Sequence, residues 1–86
     1  MDIIIEPHTL KRALERGASK EEIINVLDEG FVIPAKSNRF AKAKILDYNN
    51  YWNSKYYEQK RIEVIYTIED VQIVTVTVYV FYGKWE

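Results

Sequence analysis

The sequence predicts an α+β fold in which an N-terminal helix pair packs on one face of an antiparallel sheet of three to four strands. Three observations carry that prediction. Residues 8–28 hold two short amphipathic patterns separated by only a few residues. Residues 56–82 hold two long runs rich in Val, Ile, Thr and Tyr. The chain has 86 residues, which leaves room for one domain, assigned here to residues 1–86.

Each element follows from its residues. Ile3-Ile4-Ile5 is a β-branched run stopped at Pro7, which removes a ladder donor, so it reads as an edge strand. Leu10, Ala13, Leu14 and Gly17 then fall at helical spacing, with Lys11, Arg12, Glu15 and Arg16 outward. Residues 8–16 therefore form a helix that Gly17 ends, and Arg16 suits its negative C-terminal end. Ser19-Lys20-Glu21-Glu22 is a capping box, in which the serine oxygen takes the amide three residues on and Glu22 reaches back. The second helix runs to about Asp28, with Ile23, Ile24, Val26 and Leu27 inward and Gly30 as its stop. Phe31-Val32-Ile33 is a short extended segment closed by Pro34, and residues 35–38 form a polar loop. Residues 39–48 read as a strand that Ala41 and Ala43 weaken. Tyr48 to Ser54 carries three asparagines and a serine, which mark a turn or excursion.

The register of the last two strands decides which side chains share a surface. Ile62, Val64, Tyr66 and Ile68 alternate with Arg61, Glu63, Ile65 and Thr67. Val74, Val76, Val78 and Val80 alternate with Thr75, Thr77 and Tyr79. A two-residue turn would set each apolar row beside a polar one, and no glycine is present to favour a primed turn. The expectation is a three-residue loop or a bulge, with Arg61 opposite Tyr79 and Glu63 opposite Thr77.

Composition excludes several classes. The chain has no cysteine and a single histidine, so neither a disulfide framework nor a zinc site is expected. Its three glycines stand apart at 17, 30 and 83, so no phosphate-cradling loop is present. No cofactor is expected. The apolar run Val71–Tyr82 is too short to cross a bilayer as a helix. Met1-Asp2 opens without the basic region of a signal peptide. A cytoplasmic location with no membrane partner is the expectation.

The net charge of −1 argues against a uniformly basic nucleic-acid binder. It conceals a pattern: residues 1–35 carry −3, residues 36–61 carry +5 and residues 62–86 carry −3. The basic middle third comprises Lys36, Arg39, Lys42, Lys44, Lys55, Lys60 and Arg61, interleaved with Tyr48, Tyr51, Trp52, Tyr56 and Tyr57. Cations beside aromatic faces are what a phosphate backbone and unstacked bases require. Lys42, Lys44, Trp52, Lys55, Tyr56, Tyr57 and Lys60 are the candidate residues for binding RNA or a protein partner. A plainer account of the same charges is a solvated face.

Pro7-His8-Thr9-Leu10, followed by Glu15-Arg16-Gly17-Ala18-Ser19-Lys20-Glu21-Glu22-Ile23 and by the closing strand Val74–Tyr79, resembles a family of small bacterial proteins known as domain of unknown function 4258. Tyr56–Arg61 and Phe81–Trp85 look typical of a subgroup common in cyanobacteria. The resemblance covers nearly the whole chain through short motifs. The family is similar in layout to RelE- and BrnT-type toxins, RNA endonucleases held inactive by an antitoxin. The resemblance therefore implies RNA or an antitoxin-like protein as partner.

RNA cleavage through the 2′-hydroxyl needs a base, an acid and cations for the developing charge. Arg61, Glu63 and Tyr79 are the candidate catalytic residues on the face away from the helices, with Glu63 as base and Arg61 as phosphate clamp. His8 is a further candidate acid or base. The plainer account makes Arg61–Tyr79 and Glu63–Thr77 cross-strand surface pairs worth at most ~1 kcal/mol each, and gives His8 a capping or packing role where the first helix begins. Three functions follow: an RNA endonuclease toxin, a non-catalytic module that binds RNA or protein through Trp52, Tyr56, Tyr57 and Lys60, and a homo-oligomer joined through exposed strand edges.

Overall fold

The computed structural model describes residues 1–85. In chain order it contains β1 (Asp2–Ile4), α1 (Pro7–Arg16), α2 (Lys20–Glu29), β2 (Phe31–Ile33), β3 (Phe40–Trp52), β4 (Lys55–Glu69) and β5 (Gln72–Gly83). The strands form one sheet in the order β1-β5-β4-β3-β2. β1 runs parallel to β5 and every other pair is antiparallel. The sheet is therefore five-stranded and mixed, where the sequence suggested three to four antiparallel strands. Both short edge strands were legible as extended segments. Their partners were not, because Ile3 pairs with Ile73, far along the chain.

Local chemistry sets the helix ends. Pro7 occupies the first turn of α1, where its missing N–H costs nothing. Gly17 closes α1 at φ 95°, and the Ala18 amide donates to the Ala13 carbonyl at 2.8 Å. A side chain at Gly17 would also collide with the Tyr82 hydroxyl, so this glycine serves both conformation and space. The capping box forms as expected. The Glu22 amide donates to Ser19 Oγ at 3.1 Å, and the Ser19 amide donates to Glu22 Oε1 at 3.0 Å.

The core lies between the helices and one sheet face. Ala13, Ala18, Ile23, Val26 and Leu27 meet Ile62, Val64, Tyr66 and Val78 there. Leu14 and Ile24 remain exposed. Short helices lying on a sheet bury a narrow stripe, and these two side chains fall beside it.

The β4–β5 hairpin corrects the expected register. Its loop is two residues, Asp70 and Val71, at φ 50° and 57°. This is the positive-φ conformation of a primed turn, adopted without glycine. The expected bulge is present but lies inside β5, at Val76, where the pairing shifts between Ile65 and Tyr66. Arg61 consequently faces Phe81 rather than Tyr79, and Glu63 faces Tyr79 rather than Thr77. The physical reason is phase. A two-residue loop starts the two apolar rows out of step, and one extra residue restores Val78 and Val80 to the core side. Before the bulge it is Ile73 and Thr75 that face the helices. Thr75 is buried, and its Oγ1 accepts from the Glu6 amide at 3.2 Å. β3 also runs further than expected. The Tyr48–Trp52 segment stays in the strand through a second bulge between Asp47 and Asn50, and only Asn53 and Ser54 form the turn.

Candidate functional site

Lys42 and Lys44 lie opposite Val64 and Ile62, so they share the helix-facing side with the core. Their amines reach the C-terminal end of α2. Lys42 Nζ donates to the Leu27 carbonyl at 2.9 Å, and Lys44 Nζ pairs with Glu29 at 2.8 Å and bonds Asn25 Oδ1 at 2.7 Å. Lys60 is 7% exposed and does the same for α1, donating to the Gly17 carbonyl at 2.8 Å. It also pairs with Glu22 at 2.8 Å and lies 5.4 Å from the Tyr48 ring centre. Helix C-termini carry partial negative charge, which these cations offset. Burial by itself pushes the Glu22 carboxyl up, but the Lys60 hydrogen bond and charge and the Ser19 amide outweigh it and hold the carboxyl below its usual range. Lys44, by hydrogen bond and charge, likewise lowers Glu29.

The candidate aromatics divide. Trp52 stacks on Tyr82, with ring centres 4.9 Å apart and planes 15° apart, and Tyr48 and Tyr57 pack on the same ring at 5.2 and 5.6 Å. The Tyr82 hydroxyl donates to the Arg16 carbonyl at 2.8 Å. Burial, with Tyr48 and Glu22 adding to it, pushes the Tyr82 phenol up to about 12. This cluster roofs the α1–α2 junction. Tyr51 and Tyr56 are exposed and meet edge to face at 5.4 Å, and Lys55 lies over the Tyr57 ring at 5.5 Å. The Lys84-Trp85 tail folds back on β4, with Lys84 3.2 Å from Glu58 and the Trp85 amide donating to Gln59 Oε1 at 2.7 Å.

On the opposite face the register brings together Arg61, Glu63 and Ile65 of β4 with Thr77, Tyr79 and Phe81 of β5. Phe31 of β2 joins them across Ala43. Arg61 Nε donates to Glu63 Oε2 at 2.9 Å, and its guanidinium lies 5.4 Å from the Phe31 ring centre. Arg16 reaches round the edge of β5. It donates to the Val78 carbonyl at 2.7 Å and lies 5.7 Å from the Tyr79 ring centre. Phe31, Tyr79 and Phe81 are 46%, 44% and 46% exposed. Residues 34–39 wall a groove of about 270 Å³ on this face, lined by Pro34, Ala35, Lys36, Arg39, Ile65, Thr77 and Tyr79.

Three of the candidate catalytic residues, Arg61, Glu63 and Tyr79, are thus neighbours. His8 is not with them: it stands exposed in the first turn of α1, in the helix layer. Phe31, Phe81, Lys36 and Arg39 join the surface without having been singled out from the sequence. Lys36 and Arg39 stand in the basic middle third, whereas Phe31 and Phe81 lie outside it and are brought in only by strand pairing. The β5 edge is engaged, whereas among the described residues β3 from Lys44 to Trp52 has no strand beside it past β2. β2 has three residues, and past β1 the β5 edge receives Thr9 Oγ1 on the Val76 carbonyl at 3.2 Å as well as Arg16.

Among the described residues no three His, Cys, Asp or Glu side chains gather as a metal ion requires, and no helix is long and apolar enough to cross a membrane. Fold and surface together define an α+β protein with a helix pair on one side of a mixed sheet and a cationic, aromatic surface on the other. The chain belongs to DUF4258, a domain of unknown function, whose family profile matches residues 5–80. No curated protein and no solved structure matches it significantly.

Proposed function

We propose that the sheet face opposite the helices binds single-stranded RNA. The observation that carries this reading is the set of half-exposed rings, Phe31, Tyr79 and Phe81, around Arg61 on a surface the helices leave open. Unstacked bases gain about 1–3 kcal/mol each on such rings, and every base has a face to offer. Fluorescence anisotropy with a labelled single-stranded RNA tests it. The Tyr79→Ala/Phe81→Ala variant is expected to bind about tenfold more weakly or worse. Equal binding by the variant, or none by the wild type, overturns the reading.

The Arg61–Glu63 pair beside Tyr79 favours a second reading, RNA endonuclease. Arg61 holds Glu63 Oε2 and leaves the other oxygen free to accept the 2′-hydroxyl proton. The 2′-oxygen attacks phosphorus, the 5′-oxygen leaves with a proton from the Tyr79 phenol, and the products are a 2′,3′-cyclic phosphate and a 5′-hydroxyl. Arg61 stabilises the phosphorane charge. An antitoxin-like partner would cover the same face. Gel analysis of end-labelled RNA is expected to show cleavage that Glu63→Gln abolishes while binding persists. Cleavage at the wild-type rate in Glu63→Gln would overturn this reading alone.

A further inference from the structure

We propose that the groove beneath residues 34–39 is a seat for one nucleoside monophosphate unit, with the phosphate at Lys36 and Arg39 and the base against Tyr79 and Ile65. The groove has a built wall. Residues 36–39 form a tight turn in which the Arg39 amide donates to the Lys36 carbonyl at 3.1 Å and Asn38 takes φ 66°. That turn sets both cations on the rim of one groove. Among the described residues neither cation meets a carboxylate within ion-pair distance. The same is true of Lys11, Arg12, Arg16, Lys20, Lys42 and Lys55, and it is the shared position on one groove that sets Lys36 and Arg39 apart. The groove therefore offers two uncompensated positive charges on a wall that also holds Pro34 and Ala35, above Ile65 of the sheet.

This combination selects its ligand by chemistry. A guanidinium fork and an ammonium favour a phosphate, which accepts several charge-assisted bonds at once. Ile65 and the Tyr79 ring favour a flat ring beside it, and the Thr77 hydroxyl supplies one polar contact to that ring or its sugar. At about 270 Å³ the groove falls just below the roughly 300–1,000 Å³ of sites for drug-sized molecules, so it takes one ring and its substituents. A free nucleoside monophosphate and a single nucleotide of an RNA strand share this chemistry. Only the strand source rests on the RNA-binding reading above.

The experiment is a heteronuclear NMR titration of the full chain with AMP and UMP, with adenosine and inorganic phosphate as separate probes. A parallel anisotropy titration with single-stranded RNA at several salt concentrations completes it. A nucleotide seat predicts amide shifts centred on Lys36, Arg39 and Thr77 with the monophosphates. The Lys36→Ala/Arg39→Ala variant should lose about tenfold or more in their affinity. Adenosine and phosphate alone should each bind about tenfold more weakly than AMP, since each lacks half the contacts. If only a strand nucleotide uses the seat, the free nucleotides stay silent. RNA affinity then falls in the double variant, its salt slope drops by about 0.7 for the one phosphate released, and the uncharged change Thr77→Val weakens it as well. Should AMP bind while RNA does not, the seat stands and the RNA-binding reading falls. Should RNA bind equally well to wild type, the double variant and Thr77→Val, with AMP silent, the seat falls and the RNA-binding reading stands. Phosphate binding as tightly as AMP would reduce the groove to an anion site and overturn the proposal.

Discussion

On the sheet face beneath α1 and α2, Lys42, Lys44 and Lys60 all end on helix carbonyls or carboxylates. On the opposite face Lys36 and Arg39 meet no carboxylate among the described residues, and Arg61 meets one. Aromatic residues divide in the same way. Trp52, Tyr48 and Tyr57 pack on Tyr82, while Tyr79, Phe81 and Phe31 keep large exposed surfaces. The contrast teaches that the basic, aromatic middle of the chain serves two purposes. One set of cations holds helix ends to the sheet, and the other remains available to a ligand.

The sharpest way to break this contrast is to damage the covered face. Ile62→Ala leaves a cavity in the core and is expected to cost about 2–5 kcal/mol by urea denaturation. Lys60→Met removes the cation shared by Gly17 and Glu22. We expect a loss of about 1–3 kcal/mol, because a partly buried acceptor and a carboxylate lose their partner. The same variant carries a pH signature. Glu22 has a folded carboxyl below its ordinary value of 4.5. The stability it contributes is complete above that pH and is lost as pH falls through the folded value. Lys60→Met should therefore flatten the acid limb of a stability-against-pH curve.

Smaller effects sharpen the comparison. Val71→Gly is expected to stabilise the protein by about 1 kcal/mol, since a β-branched residue at φ 57° carries left-handed strain. Thermal unfolding at neutral pH measures it. On the open face, Phe81→Ala and Lys36→Ala are expected to change stability by no more than about 0.5 kcal/mol while weakening RNA. A stability loss there as large as that of Ile62→Ala would erase the distinction between the faces.

Much of the covered face was legible in advance. The capping box, the Gly17 stop and the β4 alternation depend on near neighbours, and all appear where the residues placed them. The candidate site was legible only in part. The shared parity of Arg61 and Glu63 was clear, and so was that of Thr77 and Tyr79. Their pairing shifted by two residues because the Asp70-Val71 turn and the Val76 bulge jointly set it. The faces of β3 were not assigned from its residues. Ala41 and Ala43 are buried on the open face, under neighbours that include Phe31 and Ile33, whereas Lys42 and Lys44 occupy the helix side. Long lysine stems can run along apolar surface and still deliver their amines to a helix end.

The sequence by itself determined the two helices, their caps, the long strands and a concentration of positive charge in the middle third. These follow from periodicity and from contacts a few residues apart. Only the tertiary structure decided that β1 pairs with β5, that three lysines turn inward, and that Lys36 and Arg39 border the same groove as Tyr79. Those outcomes depend on which distant segments meet, and alternation along a strand defines two faces without saying which one the helices will cover.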